Sequence, residues 1–228
     1  MCKKIVFPRK PPADFTYNPP RSPLEIIYHD DDFLVLSKPA ELLSVPGRKA
    51  EHADSLEKRA QAEFPEARIV HRLDMSTSGL IIMAMNAPTH RNLGLQFERR
   101  KTKKIYIARV WGQLEKDQGH VDLPLICDWP NRPLQMVDHE NGRSSQTDWE
   151  VLSREKGATR VALYPITGRT HQLRVHMAEI GHPILGDDFY AHEQALNAES
   201  RLQLHAYKLM VYHPKNGEEM WFESPCPF

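Results

Sequence analysis

The segment His71-Arg72-Leu73-Asp74-Met75-Ser76-Thr77-Ser78-Gly79 carries one carboxylate between a histidine, an arginine and a run of small hydroxyl residues. Neighbouring cations favour the ionised form of an aspartate, so Asp74 is suited to act as nucleophile or base. The competing reading is an Asp–Arg pair that braces a turn. A second segment, Gly168-Arg169-Thr170-His171-Gln172-Leu173-Arg174-Val175-His176, places His171 and Arg174 three residues apart, on one face of a helix. The amino end of that helix, with Arg169, would attract an anion such as phosphate. Arg174 is a plausible partner for a buried carboxylate. His171 and His176 are five apart and point to different faces, and HExxH is absent, so the twelve histidines do not read as a metal site. Tyr106 lies on an alternating stretch between basic residues. It is either a core aromatic or a platform on which a nucleic-acid base stacks.

These residues need elements to hold them. FLVLS (residues 33–37) and residues 80–85 are short apolar runs that read as buried strands. Ser55 to Phe64 spaces Leu56, Ala60 and Phe64 as an amphipathic helix stopped by Pro65. Asn86-Ala87-Pro88 reads as a helix start. KIYIARVW (104–111) alternates as a strand with two faces. Residues 149–152, 160–164, 209–212 and 220–222 are further strand candidates, and 122–133 reads as a Pro-punctuated loop. Residues 170–180 form the best-signalled helix, with Thr170 as N-cap and Gly181 and Pro183 as its stop. Many strands with few helices, not strictly alternating, predict an α+β fold with a mixed, mostly antiparallel sheet flanked by helices and loops. Residues 1–23 hold six of the 18 prolines and read as an extended arm; residues 24–228 read as one folded domain.

The chain has 228 residues and carries 30 Lys and Arg against 30 Asp and Glu. Length and composition suit a soluble globular protein with a sizeable core. No apolar run approaches a membrane span, no apolar segment follows the basic N-terminus, and Cys2, Cys127 and Cys226 are odd in number and far apart. These features predict a cytoplasmic protein without disulfides. Zero net charge argues at first against a nucleic-acid partner. The distribution argues otherwise. Residues 90–110 hold seven Lys and Arg, including Arg99, Arg100, Lys101, Lys103 and Lys104, against Glu98 alone, a balance of +6. Residues 178–199 hold five acids and no Lys or Arg, and Asp30 to Asp32 form a second acidic cluster. Segregated charge produces a local positive field that a polyanion can feel.

HRLDMSTSGL, KKIYIARVWG and GRTHQLRVHMAEIGHPILGD, in this order, resemble the RluA-type pseudouridine synthases from about Leu24 to the C-terminus. SVPGR (44–48) and DLPLICDWPNRP (122–133) resemble the short subgroup that modifies ribosomal RNA, transfer RNA or both. Many relatives carry an S4-like RNA-binding domain, which this chain lacks. The resemblance implies the pseudouridine synthase fold and conversion of a uridine in an RNA stem-loop to pseudouridine. Asp74 would be the catalytic carboxylate, paired with Arg174. Tyr106 would stack on the target base. Leu173, His71 and Arg72 would line the substrate pocket, with Arg72 filling the space that the flipped uridine vacates. Arg169, His171 and the stretch Arg99, Arg100, Lys101, Lys103 and Lys104 would contact phosphates. No redox or group-transfer step occurs, so the resemblance implies no cofactor and no metal; a monomer is expected. The rivals are a non-catalytic RNA-binding or chaperone module on the same fold, and a small-molecule hydrolase using Asp74 with a histidine.

Overall fold

The computed structural model describes residues 16–228. Its strands are β1 (Glu25–His29), β2 (Phe33–Lys38), β3 (Arg68–Ile69), β4 (Ser78–Ala84), β5 (Lys103–Trp111), β6 (Gln118–Asp122), β7 (Leu125–Cys127), β8 (Gln135–Val137), β9 (Gln146–Glu155), β10 (Ala158–Pro165), β11 (Leu204–Tyr212) and β12 (Glu219–Glu223). Its helices are α1 (Leu56–Glu63), α2 (Ala87–Glu98), α3 (Gln172–Glu179) and α4 (Glu193–Asn197). They fall into two compact units, Thr16–Tyr106 with His205–Phe228, and Ile107–Leu204.

In the first unit β2 and β4 are buried at every position, which is why their residues form continuous apolar runs. They pair antiparallel, with β1 beyond β2, and β11 joins β4 in parallel through His205 and Ala206 opposite Ser78 and Gly79. Gly79 sits at φ +110, and a Cβ there would meet the Ala206 carbonyl oxygen at 2.3 Å, so the glycine after the hydroxyl run is required by backbone approach. Ser55 caps α1 and Asn86 caps α2, at the positions where those two helices are expected to start. The end of α2 is less ordinary. Lys101 N donates to Gln96 O and Arg100 N to Phe97 O, a Schellman closure with Arg100 at φ 56 where glycine is usual.

The second unit is built on antiparallel β10, β9 and β6, with the end of β5 beside β10. The hairpin β7–β8 forms a separate small sheet whose Leu125 and Leu134 pack with Val175 and Ala178 of α3. Helix α3 is buried from Gln172 to Ala178.

Several expectations change. The 122–133 loop contains β7 and a 3-10 turn, Trp129–Asn131. Strands β1, β3, β6 and β8 and helix α4 had no sequence signal strong enough to be read. The N-cap of α3 is His171 in a left-handed conformation (φ 53), not Thr170. The physical reason is Gln172: its Oε1 accepts from Arg169 N and Thr167 Oγ1, while its Nε2 donates to Gln146 O and Thr147 Oγ1. The turn is fastened without Thr170. Of the expected arm, residues 1–15, with Cys2, lie outside the described residues. Residues 16–23 have no regular structure, but Tyr17 Oη donates to Asp54 O and accepts from Leu43 N.

Candidate active site

In the first unit Asp74 lies half-buried on the loop between β3 and β4, and the loop is clamped on both sides of it. Ser44 Oγ donates to Leu73 O at 2.7 Å and accepts from Leu73 N at 3.1 Å. Lys38, fully buried, donates through Nζ to Met75 O at 2.9 Å, and also to Pro39 O and Leu42 O. Thr77 N closes the turn onto Asp74 O. The loop's exit is fixed where Ser78 Oγ and His205 Nδ1 meet at 2.9 Å. Ser44 belongs to SVPGR, whose part in the site the sequence did not disclose. Lys38 could have been suspected as the one cation in a strand otherwise apolar or small.

Tyr106, at the end of this unit, packs against the core cluster to which Leu42, Leu73 and Met83 belong. Burial raises its phenol well above the usual tyrosine range, and the charge of Asp74 raises it further. Tyr106 is therefore a neutral phenol at any working pH. His71 stacks on Phe97, centroids 4.5 Å apart, and its Nε2 accepts from Ile82 N at 3.1 Å. That bond requires an unprotonated nitrogen, and burial with the charge of Lys104 pushes the imidazole down to about 3. Lys104 is itself lowered by burial and by Arg100 to about 8. Arg72, Arg99, Arg100, Lys101 and Lys103 are exposed. The cations that follow α2 sit at its carboxyl end, where the helix dipole favours positive charge.

In the second unit Leu173 is buried and Arg174 is 1% exposed. Arg174 donates through Nε and Nη2 to the two oxygens of Asp187 at 2.8 and 2.6 Å, and through Nη2 to Asp188 at 2.8 Å. The guanidinium lies over the rings of Phe189 and Tyr190, 4.7 and 5.3 Å from their centroids. Asp187 Oδ1 also accepts from Phe189 N and Tyr190 N. Gly186 supports this turn, since a Cβ there would meet Arg201 O at 2.1 Å. The shared helical face of His171 and Arg174 does not exist, because His171 precedes the helix; both instead converge on Tyr190, whose hydroxyl lies 2.6 Å from His171 Nδ1. Arg169 is half-exposed, with Nε on Ser144 O at 3.3 Å.

Asp187 and Asp188 enter the sequence reading only as acids that offset a basic region. The balance of +6 also shrinks: Arg109 pairs with Glu155 at 2.8 Å and with Glu199. Asp30, Asp32 and His213 bring possible metal ligands within 4.8 Å of one another. Those carboxylates already accept from protein donors. Asp30 takes Tyr28 Oη, Asp32 N and Phe33 N; Asp32 takes Thr89 and Lys215.

Residues 32–179 match the family model described as RNA pseudouridylate synthase. The chain is 55% identical over 204 residues to the dual-specificity RNA pseudouridine synthase RluA of Yersinia pestis, an alignment that covers 89% of this chain and 99% of that protein. The protein of the same name from Escherichia coli K12 is 53% identical over 214 residues, 93% of this chain and 98% of that one. Among solved structures, human RNA pseudouridylate synthase domain containing 1 superposes with a TM-score of 0.76 at 30% identity, covering 94% of this chain and 86% of that one. No described helix is long and apolar enough to cross a membrane. A family model spanning the loop of Asp74, the strand of Tyr106 and the helix of Arg174 leaves one assignment: the chain belongs to the RNA pseudouridylate synthase family.

Proposed function

We propose that this protein isomerises a uridine to pseudouridine in stem-loops of ribosomal RNA, transfer RNA or both, in the cytoplasm and as a monomer. Asp74 is the catalytic carboxylate, Tyr106 the group that stacks on the base, and Arg174 the cation that keeps the carboxylate ionised. Leu173, His71 and Arg72 line the pocket. Arg169, His171, Arg99, Arg100, Lys101, Lys103 and Lys104 are the RNA-contact residues. The dual-specificity names of the relatives support the two RNA classes. The observation that carries the reading is the fixed loop of Asp74, clamped through Leu73 and Met75 beside a phenol that stays protonated.

The chemistry suits one carboxylate. The N1–C1′ bond breaks, the uracil turns, and a C5–C1′ bond forms. The proton on C5 leaves to a base, and N1 gains a proton, so nothing is added or removed overall. Glycosidases use two carboxyl groups because water must be activated. Here water would leave an abasic site, and a single carboxylate in a shielded pocket avoids that outcome. Tyr106, as a neutral phenol, can stack and can relay a proton through its hydroxyl; it cannot serve as a phenolate base.

Tritium release from RNA labelled at uridine C5 tests the proposal. Unmodified ribosomal and transfer RNA transcripts should release tritium in step with pseudouridine, and free uridine should release none. RNA binding without release would favour the non-catalytic module; turnover of free nucleosides would favour the hydrolase.

A further inference from the structure

Trp129 is 65% exposed, more than any other large apolar side chain in the described residues. Exposure alone would be ordinary for a single side chain; the fixed turn and the arginine on the ring set this one apart. Its turn is rigid: Asp128 N donates to Leu134 O, Asn131 N to Asp128 O and Leu134 N to Asn131 O, while Asn131 Nδ2 holds the Asp128 carboxylate at 2.9 Å. Arg132 covers one face of the indole, its guanidinium 4.6 Å from the ring centroid. The base of the hairpin is seated on the Arg174 cluster, since Gln135 N donates to the hydroxyl of Tyr190 at 2.9 Å.

Besides Arg132, two further arginines belong to this hairpin and the chain beside it, while the carboxylate of Asp128 is held by Asn131. Arg143, exposed, is bonded through its backbone to Leu125 of β7 in both directions, at 2.8 and 3.0 Å. The next residue, Ser144, holds Arg169. Trp221, the other exposed tryptophan, differs. Its Nε1 donates to Glu219 and Lys103 Nζ lies 5.8 Å from its ring centroid, while Glu223, two residues on along β12, pairs with Lys208.

We infer that Trp129 and Arg132, at the tip of the β7–β8 turn, form a stacking platform for an unpaired base of the substrate RNA, with Arg143 and Arg169 on the adjoining backbone. This rests on the RNA-substrate reading above. A rigid aromatic face beside arginines is the combination that single-stranded nucleic acids use, and it tolerates any base because every base has a π-face.

The test uses the full chain, a twelve-nucleotide oligouridine and an abasic ribose-phosphate oligomer of equal length. Trp129→Ala should weaken oligouridine binding about tenfold and leave the abasic oligomer within twofold. Trp129→Phe should restore most of the affinity. Oligouridine should quench wild-type tryptophan fluorescence and fail to do so in Trp129→Phe to the same extent. Equal oligouridine affinity in wild type and Trp129→Ala overturns the platform, as does equal weakening on both oligomers. Self-association that disappears in Trp129→Ala, with RNA binding unchanged, would also overturn it by giving the tryptophan a second copy as partner. Tritium release from a transfer RNA transcript is scored separately: its absence in wild type would overturn the proposed function, while the oligomer comparison still decides the platform.

Discussion

Arg99, Arg100 and Lys101 stand exposed at the carboxyl end of α2, with no carboxylate partner among the described residues, whereas Arg109 and Arg174 of the second unit each sit against two carboxylates. In a charge count all five contribute equally. In the fold, Arg174 is a buried charge held on Asp187 and Asp188 and stacked on two rings, and Arg109 is a half-buried clasp on β5. Only the first group presents its charge to a polyanion. The difference teaches that a basic stretch is a binding signal only after its internal pairs are removed from the count.

The largest expected effect comes from breaking the buried pair. Asp187→Ala leaves a guanidinium without its bidentate partner and two backbone donors without an acceptor. It should cost about 3–5 kcal/mol of stability and lower the melting temperature by roughly 10 °C. A melt within two degrees of wild type would mean that Arg174 does not depend on Asp187. A smaller effect extends the comparison to protonation. His71 is held near 3, below its ordinary 6.5, so the folded state refuses a proton that the unfolded chain accepts. Its contribution is complete above pH 6.5 and declines as pH falls toward 3. Stability between pH 6.5 and 5.5 should fall by roughly 1 kcal/mol through this group, and Glu179 and Asp188, both raised by burial, act in the opposite sense. His71→Phe should flatten that slope in denaturant titrations; an undiminished slope would assign it elsewhere, with His176, also lowered by burial, the next candidate.

Arg109→Met keeps the stem and removes the charge from a partly exposed site, at an expected cost of about 1 kcal/mol or less. A cost near that of Asp187→Ala would erase the distinction between half-buried and buried pairs. The smallest effect on stability belongs to the exposed group. Changing Arg99, Arg100 and Lys101 to Gln should alter stability by about 0.5 kcal/mol or less, yet reduce the salt slope of RNA binding by roughly 2 to 3. An unchanged slope would turn this end of α2 away from RNA.

The parts of this molecule that were legible are those where one residue type answers one local demand. Continuous apolar runs announced β2 and β4, the spacing of Leu56, Ala60 and Phe64 announced α1, and Asn86-Ala87-Pro88 announced the start of α2. Strands β1 and β6 were hidden because much of each is exposed, and β7 and β8 because three residues carry no period. Asp74 stood out through its hydroxyl-rich, glycine-closed loop. Its clamps did not, since Ser44 acts on Leu73 from 29 residues away and Lys38 on Met75 from 37. Asp187, thirteen residues beyond Arg174, was masked by an acid-rich run in which nothing marks one carboxylate as buried. Long-range pairing is set by the tertiary fold, and no spacing rule reaches it.

The central claim is that the clamped carboxylate of Asp74 performs the isomerisation. Asp74→Asn preserves the shape of the side chain and removes its charge. Measured on a C5-tritiated transfer RNA transcript, the variant should release no tritium above background while binding the transcript within a few-fold of the unaltered protein. Release at the wild-type rate would contradict the account.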